Sequence, residues 1–396
     1  MKKNLIVVLS VLVIQLQAQT PKVLIGNPAR LKEIKQQLQQ QDKTAIATLA
    51  QLQKKADSLL DMKPVSVMEK KSTPVSGNKH DYMSQAPYFW YDSSKPNGLP
   101  YLRRDGERNP EIYKITDRTY LGKIDNACRI LSLAWYFTGN PKYAAKAATL
   151  LQTWFINDDT KMNPHLDYGQ AIPGINSGRG IGIIETIALT GIADAAILLE
   201  GSPSWTASNA NLLKQWYAQY LQWMLTSKNG MEEHAAKNNH GTWYYAQAID
   251  FALFTGNKNK AVELINESKK RLDSQLTTEG KQPLELERTN GLGYSTMNLH
   301  GWFTVATLSD KAGIDLWNYK TPAGVGIQTA FDWLQPFAMG NSSWPYQQIS
   351  PYDKKSEWYP LLLQAAKGFK KNGYLETAAL INKEDMNMIT ELLYNN

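Results

Sequence analysis

One helix–turn–helix pattern occurs twice in this chain and constrains its fold more than any other feature. The segment YLGKIDNACRILSLAWYFTGN (120–140) has apolar residues at helical spacing, ends in Gly-Asn and is followed by a restart behind Pro141. The segment WYYAQAIDFALFTGN (243–257) repeats the pattern, again with a helical segment behind it. Both copies contain Phe-Thr-Gly-Asn, at 137–140 and 254–257. A recurrent helical hairpin predicts stacked hairpins, as in solenoids or α/α toroids.

Most other periodic segments are also helical, but two long segments are not. Residues 29–60 carry apolar side chains at helical spacing on a polar background. Residues 62–115 are rich in proline and aromatic residues, and residues 163–180 form a second long loop before an apolar helix. Long ordered loops in helical proteins often act as lids or cleft walls. Because no linker or strand-rich block divides the chain, we expect one all-α domain over residues 19–396.

Residues 1–18 are predicted to be a secretory signal peptide. Two lysines precede an apolar run from Leu5 to Leu16, and Ala18-Gln19 follows it. The run is too short for a membrane-spanning helix, and no cysteine follows it as a lipid anchor. We therefore expect a secreted or periplasmic protein with no membrane span in the mature chain. The sole cysteine, Cys128, excludes an intramolecular disulfide, and its helical surroundings predict burial.

Net charge and aromatic content suit an anionic carbohydrate partner. The formal net charge is +7, which includes the two lysines of the signal segment. This mild excess is compatible with a polyanion, but there is no long Lys/Arg run of the kind that binds nucleic acid. The chain has 12 Trp and 20 Tyr, whose apolar faces and polar edges suit sugar rings as well as helix packing. We expect an anionic polysaccharide partner and no nucleic acid.

The common metal, cofactor and serine-hydrolase motifs are missing from the sequence. There is no G-x-G-x-x-G, P-loop or G-x-S-x-G segment. His234 and His240 are six residues apart, which differs from the i, i+4 spacing of helical zinc ligands. A single cysteine cannot build a thiolate cluster. We therefore expect no metal and no cofactor.

Three segments instead place neutral or cationic hydrogen-bond donors together or near a tyrosine. They are, in chain order, Asn176 with Arg179, Asn239 with His240, and Arg288 with Tyr294. These residue types fit elimination of the O4 substituent of a uronate, because the C5 proton becomes acidic only when the neighbouring carboxylate is neutralised. Amide, imidazole and guanidinium groups are suitable donors to that carboxylate. A tyrosine can protonate the leaving O4, and His or Tyr can take the C5 proton.

A resemblance to a known family covers these residues. Asn238-Asn239-His240 followed by Gly241-Thr242-Trp243 resembles the NNH-x-x-W motif of family 5 alginate lyases and of the wider alginate-lyase-domain group, including family 38. Arg288 and the segment Gly293-Tyr294-Ser295 match the arginine and GYS-like tyrosine that follow in these enzymes. The SQAPYFWYD and NSGRGIGIIE segments are also similar, so the resemblance covers residues 65–345. It implies an incomplete α/α toroid and metal-independent β-elimination of alginate, in endo or exo fashion.

The resemblance also implies a role for each matching residue. Asn239 and Arg288 would neutralise the substrate carboxylate. His240 would be the base for anti (guluronate-type) elimination, or a further neutralising group. Tyr294 would be the acid, and both base and acid for syn (mannuronate-type) elimination. The expected substrate-binding residues are Asn176 and Arg179 at subsites, Tyr82, Tyr88 and Trp90 in a lid, and Trp243 and Tyr244 in the cleft wall.

Two departures from the family pattern bear on the substrate. The chain has Gly241-Thr242 where family 5 prefers Ser-Tyr, and Arg288 stands alone in the sequence rather than in an arginine cluster. Because family 38-type relatives share this layout, glucuronan is a second candidate substrate beside alginate.

Two other classes of protein stay open at this stage. A glycoside hydrolase on the same toroid would need two carboxylates across the cleft, for which Asp81, Asp167 and Glu287 are available. A glycan-binding protein without activity would keep the aromatic residues but has no need for His240 together with Tyr294. The sequence favours a secreted polysaccharide lyase that acts on alginate.

Overall fold

The computed structural model describes residues 20–381 and residue 392. The predicted signal peptide, 1–18, lies outside the described residues. The helices are α1 (Pro28–Gln39), α2 (Lys43–Ser58), α3 (Asp117–Thr138), α4 (Pro141–Phe155), α5 (Ala188–Leu198), α6 (Ala207–Thr226), α7 (Lys228–Ala235), α8 (Asn239–Phe254), α9 (Lys258–Gln275), α10 (Pro283–Leu286), α11 (Gly291–Ala312), α12 (Ile327–Ala338), α13 (Lys354–Gly368) and α14 (Gly373–Ala379).

The two predicted hairpins are present, and the shared Phe-Thr-Gly-Asn forms the turn in both. Gly139 and Gly256 have φ of +66° and +82°, the left-handed conformation that ends a helix without a Cβ penalty. The following asparagines cap the next helices: Asn140 accepts from Lys142 N–H, and Asn257 accepts from Lys260 N–H. The predicted α3–α4 and α8–α9 hairpins are therefore confirmed.

The hairpins assemble into an all-α, incomplete α/α toroid, as predicted. An inner series runs α3, α5, α8, α11 and α13, in which each helix packs on the next. The outer helices α2, α4, α6, α9 and α12 pack behind them. α8 is buried on nearly all sides, as expected for an inner helix, whereas α9 buries one face and exposes its charged residues. Most buried apolar residues of the described chain form one continuous cluster, which includes Cys128.

Four short strands connect the two long loops. They are β1 (Met83–Gln85), β2 (Phe89–Trp90), β3 (Leu102–Arg103) and β4 (Tyr168–Ala171). β1 pairs with β4 in parallel, so the 62–115 and 163–180 segments lie side by side. β2 and β3 form an antiparallel pair within the first segment. Both long loops are therefore ordered parts of one surface, and this surface holds much of the site described below.

One helical stretch, Gly180–Leu198, is apolar and long enough to cross a membrane by composition alone, but 72% of its apolar window is buried in the protein. It includes α5, an inner helix of the toroid. Its hydrophobicity is accounted for by core packing.

A buried carboxylate holds the first described residues against α5. The backbone N–H groups of Leu24, Ile25 and Gly26 all donate to Asp194, whose side chain lies in the core. Ionised acceptors form the stronger class of hydrogen bond, and a buried N–H that loses its acceptor is costly. Asp194 therefore fixes where the chain enters the toroid.

We expect Asp194→Ala to lower the free energy of unfolding by about 2–4 kcal/mol, because three backbone N–H groups lose their acceptor. Chemical denaturation should measure the loss, and trypsin should cleave after Lys22 faster than in the wild type. Asp194→Asn retains one acceptor oxygen and should lose less. A loss below about 0.5 kcal/mol for Asp194→Ala, the range of ordinary surface changes, would contradict this role.

Candidate active site

His240 lies at the start of α8, just after the break that separates α7 from α8. Asn238 caps α8 by accepting from the backbone N–H of His240 at 3.3 Å. The imidazole Nδ1 lies 2.7 Å from Oε1 of Glu233, a buried acid of α7. An ionised carboxylate can only accept, so in the neutral imidazole Nδ1 carries the proton and Nε2 keeps its lone pair. Glu233 therefore favours the neutral tautomer of His240 in which Nε2 could accept a proton.

Asn239 is buried and bonded to a second acid. Its backbone N–H and its side-chain Nδ2 each donate to the carboxylate of Glu285 at 2.6 Å. A carboxylate in this position also satisfies and complements the N-terminus of α8. Burial raises the pKa of Glu285, although the Asn239 bonds and the electrostatic interactions with Arg288 and His240 oppose the rise. The side-chain amide of Asn239 thus already donates to Glu285. Its predicted contact with a substrate carboxylate stays a prediction.

Gly241 leaves room for an arginine at the α7–α8 corner. A Cβ on Gly241 would lie 2.1 Å from the Ala236 carbonyl oxygen and 2.5 Å from Nη1 of Arg271. Arg271 donates to the backbone carbonyls of Ala236 and, at 2.7 Å, of His234. The glycine that departs from the family 5 pattern therefore accommodates a guanidinium that ties the end of α7 to the start of α8.

Arg288 and Tyr294 form a stacked pair at the start of α11. The guanidinium carbon lies 3.9 Å from the centroid of the Tyr294 ring, a cation–π contact. The Tyr294 hydroxyl donates to the hydroxyl of Tyr88 at 2.8 Å. Burial, followed by the Tyr88 hydrogen bond, raises the pKa of Tyr294, and the nearby Arg288 charge opposes this. The phenol is therefore protonated at neutral pH, as an acid must be.

The guanidinium of Arg288 is bound by a carboxylate of the first long loop. Nε and Nη2 donate to the two oxygens of Asp105 at 3.1 and 2.8 Å. Burial alone would raise the pKa of Asp105, but the hydrogen bonds and charge of Arg288 outweigh it and hold that pKa well below its usual range. Asp105 is thus ionised and forms an ion pair with Arg288.

Two further arginines come close to this pair. Arg103, on β3, donates to Asp105 at 2.8 Å. Arg179 stacks over the Phe89 ring at 5.2 Å, donates to Gln170 at 2.9 Å, and interacts electrostatically with Arg103 and Glu233. Burial lowers the pKa of Arg179. The arginine cluster that the sequence lacks is therefore assembled in space from three separate segments.

Other predicted contacts lie on the two loops. Trp90, on β2, is half-buried, donates to the Glu107 carbonyl at 2.9 Å and lies 5.3 Å from the guanidinium of Arg104. Asn176 is exposed, and its side-chain oxygen accepts from Ile172 N–H within the same loop. Both side chains retain surface that a ligand could reach.

Three predicted substrate contacts do not fit their positions. Tyr82 is 0% exposed and donates to buried Glu185 at 2.8 Å, so it packs in the core and forms no part of a lid. Tyr244 is 1% exposed and donates to the Met224 carbonyl. Trp243 is also buried, and it borders a cavity of about 440 Å³ formed by inner helices. For Trp243 and Tyr244 the cause is their place on an inner helix of the toroid, where the face shared with His240 becomes core one turn further along.

Of the three carboxylates considered for hydrolysis, two contact one histidine and the third lies on the surface. Asp81 is buried and shares His165 with Asp167, at 3.0 and 3.2 Å from its two ring nitrogens. Glu287 is exposed. Over residues 20–381, no group of three His, Cys, Asp or Glu side chains is arranged to hold a metal ion.

Comparison with known proteins identifies the family. The alginate lyase family profile matches residues 66–344. The chain belongs to the alginate lyase family. An alginate lyase from Bacteroides ovatus is 40% identical, with a TM-score of 0.90 over 95% of this chain and 99% of that one. The predicted resemblance is confirmed, and the protein is a polysaccharide lyase.

More distant structures share the fold. Alginate lyase A1-III from Sphingomonas species A1 is 14% identical, with a TM-score of 0.54 over 94% of this chain and 97% of that one. A variant of alginate lyase A1-III complexed with a tetrasaccharide is also 14% identical, with a TM-score of 0.59 over 96% and 98%. No curated protein sequence matches the chain at a significant level.

Sequence reasoning missed three residues of this alginate lyase family site: Glu233, Asp105 and Arg103. Glu233 directly precedes His234, which was considered only as a zinc ligand. Its position seven residues before His240 would indicate contact if one helix continued, yet a helix break separates the two. Asp105 gave no signal because its partner Arg288 is 183 residues away, and Arg103 is connected to the site only through Asp105.

We expect Glu233→Gln to lower kcat of this lyase about 10–100-fold, as loss of an outer carboxylate partner does for other histidines. An amide can bond either tautomer of His240, so Nε2 is no longer kept free to accept. KM should change little, since Glu233 is buried. Glu267→Gln, which alters a half-exposed Glu–His contact at His234, is the matched control. An unchanged kcat, or a change confined to KM, would contradict the positioning role.

Proposed function

We propose that this lyase cleaves alginate by metal-independent β-elimination. The observation that carries the proposal is the Arg288–Tyr294 pair, in which a guanidinium lies 3.9 Å from the ring of a protonated tyrosine. It joins in one place a cation for a uronate carboxylate and an acid for a leaving oxygen. The 40% identical relative is itself an alginate lyase, and the tetrasaccharide complex of a distant relative supports an oligosaccharide ligand.

The proposed reaction has one proton removed and one delivered. A base takes the C5 proton, and the electron pair of the C5–H bond forms the C4–C5 double bond. The C4–O4 bond breaks, and O4 takes a proton. Arg288 neutralises the uronate carboxylate, and Arg103 and Arg179 add positive potential. His240 Nε2, kept free by Glu233, takes the C5 proton. The Tyr294 hydroxyl delivers the proton to O4.

The environment of Tyr294 favours the acid role. Its pKa is raised first by burial and then by the Tyr88 hydrogen bond, so it holds its proton at neutral pH. After transfer, the phenolate would lie beside the Arg288 guanidinium and accept from the Tyr88 hydroxyl, which stabilises it. Syn elimination with Tyr294 as the base as well would first require loss of this proton.

The choice between alginate and glucuronan rests on the sugar ring rather than on the carboxylate. Both polymers present a carboxylate to Arg288 and a C5 proton to His240. Both sequence departures that made glucuronan a candidate have structural counterparts. Arg271 fills the space at Gly241. Arg103 and Arg288 both bind Asp105, and Arg179 interacts electrostatically with Arg103. We therefore keep alginate as the proposed substrate and glucuronan as the comparison polymer.

Hydrolysis is the competing reaction, and its carboxylates support it poorly. Asp81 accepts from Ser76 and Asn163 in addition to its contact with His165, so its oxygens are engaged. A hydrolase needs one acid and one base on opposite sides of the scissile bond. The donors around Tyr294 are cationic and phenolic instead.

Absorbance of the unsaturated product should decide the reaction and the polymer. We expect ultraviolet absorbance to rise on polymannuronate, polyguluronate or both, because elimination creates a conjugated C4–C5 double bond. Tyr294→Phe should lower kcat about 10²–10⁴-fold, the usual contribution of a general acid or base. Tyr113→Phe, which alters a tyrosine 61% exposed on the surface, is the control and should be unaffected.

Three results would overturn the proposed function or one part of it. New reducing ends without absorbance would show hydrolysis. Absorbance on glucuronan alone would replace the substrate and keep the mechanism. Full activity in Tyr294→Phe would remove Tyr294 from the reaction.

We further propose that the protein is exported by the signal peptide at 1–18. Its apolar run behind two lysines supports export. Expressed with residues 1–18 present, the protein should be recovered from the periplasm or medium, and mass spectrometry should find its first residue near Gln19. Recovery in the cytoplasm with residues 1–18 intact would contradict export.

A further inference from the structure

The tip of the first long loop is docked tightly on the start of α11 through Asp105. Besides its two bonds from Arg288, the Asp105 carboxylate accepts from the backbone N–H of Thr289 at 3.4 Å and from its hydroxyl at 3.1 Å. Arg103 donates to the same carboxylate from the loop side. One carboxylate therefore accepts from two guanidinium groups, a backbone N–H and a hydroxyl.

The next residue makes this close approach possible. Gly106 has φ of +77°, and a Cβ there would lie 2.5 Å from the Thr289 hydroxyl oxygen and 2.8 Å from Nδ2 of Asn290. Only glycine fits both the left-handed backbone and the space. The absence of a side chain at Gly106 therefore allows the Asp105 carboxylate to approach Arg288 and Thr289.

This contact conflicts with the role that Arg288 needs in the proposed reaction. Asp105 occupies the Nε–Nη2 edge of the guanidinium, and the Tyr294 ring covers one face. The bidentate edge is the one that binds a carboxylate best. A substrate carboxylate would also be repelled by the charge of Asp105, because like charges at close range oppose each other.

We propose that Arg288, Arg103 and Thr289 form a carboxylate-binding site which the chain fills with its own Asp105, and that a uronate carboxylate of the substrate displaces Asp105. The substrate part of this inference rests on the proposed function. Asp105 is then an internal competitor: while it is docked, Arg288 is neutralised and the loop from residue 101 to 108 is closed on the site.

The position of Asp105 suits exchange. Its side chain is 21% exposed, and those of Arg288 and Arg103 are 16% and 58% exposed, so solvent and ligand reach the pair. Replacing one carboxylate by another leaves the number of buried charges unchanged, which avoids the cost of an unpaired guanidinium. The loop keeps other anchors, including the Arg104 N–H bond to the Tyr88 carbonyl at 2.8 Å.

The first test asks whether the site takes a free carboxylate and needs no enzyme activity. Asp105→Ala should raise amide hydrogen exchange over residues 101–108, because the loop loses its bond to Arg288. Acetate should restore protection in this variant by bridging Arg288 and Arg103, whereas sodium chloride at equal ionic strength should not. The wild type should not respond to acetate. The variant must melt like the wild type and exchange like it outside residues 101–108. If acetate then fails to restore protection within 101–108, the carboxylate site is refuted.

The second test asks whether Asp105 competes with substrate. An internal competitor that is docked nine-tenths of the time weakens apparent affinity about tenfold. Asp105→Asn should therefore bind polyuronate more tightly and lower KM by up to about tenfold, in whichever polymer the wild type cleaves. Glu107→Gln, which removes an acid of the same loop that pairs with Arg104 and not with Arg288, is the control.

The outcomes separate this inference from the proposed function. A wild type that cleaves polyuronate while Asp105→Asn has unchanged or weaker binding would overturn the competition and make Asp105 a positioning residue for Arg288. A wild type that produces no unsaturated product from any polyuronate would overturn the proposed function and the substrate part of this inference. The acetate result then still decides whether the carboxylate site exists.

Discussion

Gln275, the last residue of α9, holds together the two inner helices that carry the site. Its side-chain N–H groups donate to the backbone carbonyls of Lys237 and Asn238, at the start of α8. Its side-chain oxygen accepts from Trp302 at 2.9 Å and from Asn298 at 3.2 Å, both on α11. These groups are buried, and a buried hydrogen-bond network is rigid because each lost bond leaves an unpaired polar group. The positions of His240 and Tyr294 relative to each other depend on this network.

The parts of the fold that could be predicted from sequence are those with local causes. Gly139 and Gly256 end helices because their backbones are left-handed, and the asparagines behind them cap the next helices. Such signals are complete within a few residues. The Asn239-His240 motif and the Arg288–Tyr294 spacing could also be recognised in the sequence, because each pair lies within a short stretch of chain. Arg288 and Tyr294 do stack on each other.

What could not be predicted depends on contacts between distant segments. Asp105 meets Arg288 only because the first long loop folds over the toroid, and β1 pairs with β4 only because both long loops share one surface. Tyr82 was misjudged for the same reason: an aromatic in a Pro-rich loop looks like a lid, but this one is bonded to Glu185 in the core. Periodicity and spacing carry no information about which loop covers which helix.

Displacement of Asp105 would act on Tyr294 as well as on Arg288. Asp105 raises the pKa of Tyr294 electrostatically, and the charge of Arg288 lowers it, with burial and the Tyr88 bond as the larger influences. Removing Asp105 takes away one raising influence and leaves Arg288 uncompensated, so the pKa of Tyr294 moves down until a substrate carboxylate takes the same place. The phenol is therefore held most firmly as an acid when a carboxylate, internal or bound, lies on Arg288. In the proposed mechanism, substrate binding would restore the electrostatic state that Asp105 provides at rest, so that Tyr294 would hold its proton when O4 arrives.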